Sequence, residues 1–374
     1  MTTDYRELDR RFYMPVFSRD TMIVRGRGAR VWDDTGKEYI DCVAGIAVCS
    51  TGHCHPEVVQ AICDQAHDLI HCSNLYYIPH QGELAARLAG ITGLSRVFLT
   101  NSGAEATEGA LKLARVVTGR KKFVAFEHGF HGRTMGALAV THKPAIREPF
   151  MPLEPTCTFL RYGDLEGLRK NVTRETAAVV VEPIQGEAGV IVPPEGFLEG
   201  VRERCDDTGA LMVVDEVQSG MGRTGKWLAI QHEKVTPDVV LLAKGLASGF
   251  PIGALVTAEE YQFRKSEHGS TFGGGPLACA AALATIRVIE QLLPGVPGKG
   301  ERFRNGLSRY QPRVKGLMIG ISVGERCPQI QKSCAEAGVL INCAAEGNLR
   351  LVPPLVISYA EIDRAVEALH ASLG

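Results

Sequence analysis

Two hydrophobic patterns alternate along most of this chain. In PEVVQAICDQAHDLI (56–70) and GELAARLAGI (82–91) apolar residues recur every three or four positions, which places them on one face of a helix. Five short, nearly continuous apolar runs have a different pattern: SRVFLTN (95–101), KKFVAFE (121–127), AAVVVEP (177–183), ALMVVDE (210–216) and DVVLLAKG (238–245). Runs of that length, rich in β-branched residues, suit strands covered on both faces. Helical segments such as EGALKLARVV (108–117) and EGFLEGVRERCDD (195–207) fall between some of them. The alternation predicts an α/β domain built on a mostly parallel central sheet.

The flanks read differently. ARVWD and EYIDC bracket Asp34-Thr35-Gly36, a hairpin signal near the N-terminus. After residue 292 the breaker-rich LPGVPGKG is expected to separate off a smaller unit. That unit holds strand-like GLMIGISVG and NLRLVPPL, helix-like PQIQKSCAEAGVLI and a last helix, AEIDRAVEALHASL. The expected organisation is a large domain over 47–280 and a small, discontinuous α+β domain assembled from 1–46 and 281–374.

Charge narrows the function. Lys+Arg (41) and Asp+Glu (42) almost cancel, with neither sign concentrated, so nucleic acid is not the expected partner. The opening MTTDYRELDRRF lacks an apolar signal core. No apolar run is expected to reach bilayer-spanning length. A soluble, cytoplasmic protein without a membrane partner is the expectation. The 11 cysteines are then expected to be free thiols, several of them buried. His53-Cys54-His55 has no matching CxxC or HExxH partner and is expected to form a turn; no metal site is expected.

Three positions carry candidate chemistry. Ser102 and Glu105 fit a capping box that starts a helix near Gly103, and the N–H groups of such a start suit a phosphate. Asp215 ends the strand LMVVD, where a carboxylate can keep a cationic nitrogen protonated. Lys244 ends VVLLA, where an unpaired ammonium is costly unless it is neutralised by burial or as an imine. Singly, each has an ordinary alternative: a capped helix, a turn-capping Asp, a lysine reaching to the surface. Jointly, an anion cradle, a carboxylate and an imine-forming lysine meet the needs of pyridoxal phosphate.

The chain resembles the class III aminotransferases of fold type I, and among them the acetylornithine branch. The resemblance rests on NSGAEATEGALKLAR, HGFHGRTMGAL, VEPIQGEAGV, VVDEVQSGMGRTGKWLA, LLAKGLASGFPIGA, HGSTFGGGPLACAAALA and NLRLVPPLVIS, in family order over most of the chain. It departs at Gly275, where Asn is common, and in the N-terminal FYMPVF. The resemblance implies that Lys244 holds pyridoxal 5′-phosphate as a Schiff base and shuttles the substrate proton. It implies that Asp215 pairs with the pyridine nitrogen and that Ser102, Gly103 and Ala104 hold the phosphate. Phe130 and Val217 would flank the ring, and Gln218 would reach its hydroxyl.

It further implies a homodimer with shared active sites, in which Thr271 contacts the neighbouring subunit's phosphate and Ser270 contacts substrate. Arg133 and Arg350 would bind substrate carboxylates, with Glu187 pairing the arginine when a substrate lacks one. The implied reaction moves an amino group from acetylornithine to 2-oxoglutarate, giving glutamate. Ornithine, succinylornithine, 4-aminobutyrate and a carrier-bound lysine precursor are rival donors. A non-catalytic binding protein on the same fold is the alternative of a different kind.

Overall fold

A computed structural model describes residues 4–374, apart from the side chain of Glu346. Near the N-terminus run strands β1 (Ile23–Arg27), β2 (Arg30–Asp33) and β3 (Glu38–Asp41), antiparallel in succession. The turn between β2 and β3 is held by Asp33, whose Oδ1 accepts from Thr35 N, Thr35 Oγ1 and Lys37 N.

The central sheet contains β4 (Arg96–Thr100), β5 (Lys122–Phe126), β6 (Cys157–Leu160), β7 (Thr176–Val181), β8 (Leu211–Asp215), β9 (Val239–Leu242) and β10 (Gly253–Thr257). Its spatial order is β4-β10-β9-β8-β7-β5-β6. Only β10 runs against its neighbours; β6, β5, β7, β8 and β9 pair in parallel. The parallel strands therefore present their carboxyl ends along one edge, where ligands of open α/β sheets bind.

The continuous apolar runs have a direct cause in this packing. Successive strand residues point to opposite faces. Val214, Met212, Val240 and Leu242 enter one buried cluster, while Val213, Leu211, Val239 and Leu241 enter another on the other side. Neither face tolerates a polar residue, so the run has no alternation. The helix Gly103–Thr118 covers one face through Ala106, Ala110, Leu113 and Ala114. The strands at 157–160 and 253–257 were not among the runs singled out from sequence. CTFL is a short edge strand, and GALVT begins at a glycine after Pro251, where breaker residues mask the pattern.

The last sheet has β11 (Arg313–Lys315), β12 (Met318–Ser322), then β14 (Asn342–Ala344) and β15 (Asn348–Leu351), ordered β11-β12-β15-β14. The intervening β13 (Val339–Leu340) instead pairs in parallel with β3, joining C-terminal chain to the N-terminal hairpin. The 280/281 junction expected from sequence falls inside the helix Pro276–Leu292.

Three expectations need correction. LPGVPGKG is not a break: it continues as a short 3-10 turn, Leu293–Gly295, into the helix Val296–Gly306. Pro297 sits in that helix's first turn, where its missing N–H has no helical acceptor to lose. Second, the helical stretch Pro276–Gly306 is long and apolar enough to cross a membrane by length and composition. However, 67% of its most apolar window is buried inside the protein, against the helix Pro56–Asp68 among others, which makes it a core helix here. Third, Cys327 and Cys343 form a disulfide, with their Cα atoms 5.9 Å apart; nine other cysteines are free.

Candidate active site

A cavity of about 330 Å³ opens at the carboxyl edge of the central sheet. Ser102, Gly103 and Ala104 line one part of it, at the start of the helix that follows β4. Ser102 Oγ accepts from Glu105 N at 3.2 Å, as the capping box requires. Glu105 does not close the box: its Oε2 accepts instead from Asn101 N and Asn101 Nδ2, both at 2.9 Å. The carboxylate thereby fixes the loop ahead of the helix. By position, the first-turn N–H groups of Gly103 and Ala104 have no helical acceptor, and they carry the positive end of the helix dipole. Space there is tight: a Cβ on Gly103 would sit 2.9 Å from Val217 Cγ1.

Asp215, the last residue of β8, is buried and also lines the cavity. Its Oδ1 accepts from Val217 N at 3.0 Å, and its Oδ2 lies 2.7 Å from His131 Nδ1. An ionised carboxylate can only accept, so Nδ1 carries the proton. Burial disfavours the imidazolium, yet the hydrogen bond and charge of Asp215 outweigh it and raise the His131 pKa. His131 is anchored in turn by Thr141 Oγ1, which accepts from its N–H, and by Thr107 Oγ1, which donates to its carbonyl.

Glu182, just past β7, accepts from Phe130 N (3.0 Å) and Gly186 N (3.1 Å). Burial pushes it up to about 7, with the charge of His131 opposing and that of Asp215 adding. Neither His131 nor Glu182 was singled out from sequence. Glu182 follows the strand-end rule that located Asp215 and was within reach of it; His131, 84 positions from Asp215, offered no such signal.

Lys244 lies two residues beyond β9 with a left-handed backbone, φ 44°, and reaches the same cavity. Burial lowers its pKa, and the charge of Glu187 works against that shift. Phe130, Val217, Gln218 and Glu187 are on the cavity wall as well. Behind Glu187 and Gln218 sits Arg350, wholly buried on β15. Its Nη1 donates to Glu187 Oε1 (2.5 Å), Gln218 Oε1 (3.1 Å) and the Gly186 carbonyl (3.1 Å), and its Nη2 is buried without a partner. Burial would raise Glu187, but the charges of Arg350 and Lys244 hold it below the usual carboxylate range.

Three of the expected site residues lie elsewhere. Arg133 is exposed in the loop following Gly132. Ser270 and Thr271 border a separate hollow beside Glu105 and Phe272. Ser270 Oγ accepts there from Gly273 N at 3.0 Å and Asn101 Nδ2 at 3.3 Å.

A buried acid–imidazole pair, a helix start and a partly desolvated lysine around one cavity define a site for an anionic, basic-nitrogen ligand that reacts with an amine. The sequence profile of the family Aminotransferase class-III matches residues 13–373, and the chain belongs to that family. Among its curated relatives, an acetylornithine aminotransferase of Methanosarcina acetivorans is 50% identical, over 97% of this chain and 95% of the relative. Another from Methanopyrus kandleri is 51% identical over 99% of both. The structure superposes on the ornithine aminotransferase of Toxoplasma gondii with a TM-score of 0.96 at 34% identity, covering 100% of this chain and 95% of that one. The acetylornithine aminotransferase of Elizabethkingia anophelis gives 0.89 at 33% identity, covering 99% and 98%.

Proposed function

We propose that this chain is a pyridoxal-phosphate-dependent transaminase that takes the amino group of N2-acetyl-L-ornithine and passes it to 2-oxoglutarate. The observation that carries the chemistry is the convergence of Lys244, Asp215 and the Gly103 helix start on one cavity. The amino donor is assigned from the close, full-length likeness to acetylornithine aminotransferases.

The cavity's residues fit the cofactor. The helix start suits its phosphate, buried Asp215 suits its ring nitrogen, and Lys244 suits its carbonyl carbon. When bound, pyridoxal phosphate supplies an electron sink for the substrate's α-carbon electrons. Asp215 would hold the ring nitrogen protonated, and His131 keeps the Asp215 carboxylate oriented. Lys244 would take and return the substrate proton, a task for which a lowered pKa suits an amine. Phe130 and Val217, both on the cavity wall, would flank the ring and keep water from it, and Gln218 would hydrogen-bond its hydroxyl.

Arg350 with Glu187 forms a carboxylate site that can be emptied or filled. With Glu187 paired to Arg350, the pocket suits an amine chain with no carboxylate there. With Glu187 displaced, the unpartnered Nη2 and Nη1 suit a dicarboxylate. Arg133 is assigned to the other carboxylate. Ser270 and Thr271 are assigned to a second subunit's site, so the active form is a homodimer. A cytoplasmic location completes the proposal, in keeping with nine free thiols.

The purified protein with added pyridoxal phosphate should be yellow, and its absorbance should shift on adding glutamate. A protein that stays colourless would sink the transaminase reading. Lys244→Ala should abolish turnover while still retaining cofactor, and near-normal turnover would remove Lys244 from the mechanism. In single-turnover measurements acetylornithine should react faster than ornithine or 4-aminobutyrate. The reverse order would overturn the donor assignment alone.

A further inference from the structure

One buried carboxylate at the active cavity has no part in the reaction proposed above. Glu182, just past β7, is buried and stands on the cavity wall. Each of its oxygens is committed to a different loop: Oε1 accepts from Phe130 N at 3.0 Å, and Oε2 from Gly186 N at 3.1 Å. Burial disfavours the charge on this group, while the two N–H bonds favour it. Tyr162 Oη donates to the Glu182 carbonyl at 2.7 Å, so the backbone behind the carboxylate is held as well.

The two loops carry different parts of the site. Phe130 lines the cavity from the loop after β5. Gly186 precedes Glu187, and its carbonyl accepts from Arg350 Nη1 at 3.1 Å. Its backbone is pressed against the site, since a Cβ there would overlap Gln218 Oε1. A second tie joins the same loops: Gln185 Nε2 donates to the Glu127 carbonyl at 2.8 Å. Neither Gln185 nor Glu127 lines the cavity, whereas Glu182 and Phe130 do.

We propose that Glu182 is a positioning residue: its carboxylate fixes Phe130 and the Gly186 turn relative to each other, aligning the cofactor wall with the Arg350–Glu187 pocket. The proposal rests on the transaminase reading and adds a residue to it. Hydrogen bonds to an ionised acceptor are roughly twice as strong as neutral ones, so one group can hold both loops. Glu187 can then swing off Arg350 while the turn behind it stays in place. An amide at position 182 has a single accepting oxygen and would point an N–H at the other backbone N–H. Losing either bond breaks the alignment, so both ends of the site should respond.

Glu182→Gln is compared with the unmodified protein at pH 8, above the value of about 7 to which burial pushes Glu182. Fluorescence titration with pyridoxal phosphate should show the Kd raised about tenfold, the size of one lost bond to a charged group. In the holoenzyme the KM for 2-oxoglutarate should rise about tenfold, while kcat and the amino donor's KM move less. Glu182→Asp is a methylene too short to hold both N–H groups and should show the same pair of changes, folding of the glutamine variant aside. Gln185→Leu cuts the other tie and should lower the Tm with both constants near wild type. In cofactor-free Glu182→Gln, hydrogen exchange should speed up in the peptide spanning Phe130 or in that spanning Gly186. Unchanged Kd and KM in a folded Glu182 variant overturn the proposal, and so does a Gln185→Leu protein that reproduces both changes. Wild-type exchange at both loops in Glu182→Gln overturns it too; needing neither cofactor nor substrate, that result leaves the transaminase reading intact.

Discussion

Arg350 is paired with Glu187, and in the proposed function an incoming carboxylate competes for the same guanidinium. Glu187→Gln removes the resident charge but keeps the hydrogen-bonding shape. The KM for 2-oxoglutarate should fall about tenfold, while the KM for the amino donor does not fall. Steady-state kinetics with both substrates check this, and an equal change in both would deny Glu187 a gating role. His131→Leu poses a different question, because it leaves buried Asp215 without its hydrogen-bond partner. A hydrogen bond to a charged group is worth about 1.5–3 kcal/mol, so kcat should fall about 10- to 100-fold. Cofactor retention, followed by absorbance, should weaken with it. His53, whose Nε2 lies 2.8 Å from Oδ2 of buried Asp41, allows a pH test of stability. Its folded pKa lies above its unfolded value, near 10 against 6.5, so its contribution is complete below about 6.5 and is lost as pH rises through about 10. Urea midpoints for the wild type should decline over that window, and those of His53→Gln should decline less.

Between elements, close backbone approach sets the site. Gly132 precedes Arg133 with φ 132°, and a Cβ there would lie 2.8 Å from Ala104 Cβ and 3.0 Å from Ala104 Cα. Gly132→Ala should push the loop off the helix start and destabilise the protein by about 1–3 kcal/mol, with a larger loss of cofactor affinity. Denaturation midpoints alongside a cofactor titration separate the two. This contact also marks where the sequence stopped being informative. The strands were readable because both their faces are buried, and Asp215 and Lys244 because a charge at the end of such a run is conspicuous. The Ser102 cap was readable from local spacing. His131 meeting Asp215 and Arg350 closing on Glu187 depend on tertiary approach, while Glu105 turning back to Asn101 is a local choice of donor that spacing does not decide. LPGVPGKG misled because proline in a first helical turn has the same composition as a break. For Arg133, Glu187 and Arg350, the roles came from resemblance, since isolated charges carry no such signal.

At the scale of the whole molecule, two neighbouring segments carry large exposed apolar residues. Leu75 is 84% exposed and Tyr77 fully so, in the loop before the helix Gln81–Thr92. That loop is tied to the segment carrying Ser270 and Thr271: Asn74 Nδ2 donates to the carbonyls of Ser270 and Gly273, and the His71 and Phe272 rings lie 5.1 Å apart. Phe272 is itself 64% exposed. A monomer rarely leaves so much contiguous apolar surface in water, whereas a second copy would bury it. In the proposed homodimer, burial there would also carry Thr271 toward the partner's site. Light scattering should therefore give twice the chain mass at micromolar concentration. Tyr77→Asp should shift the protein toward single chains and lower activity in proportion, because each site would lose what the other subunit lends it. A wild-type protein that is fully active as a monomer would refute the shared site and would leave Lys244 and Asp215 untouched.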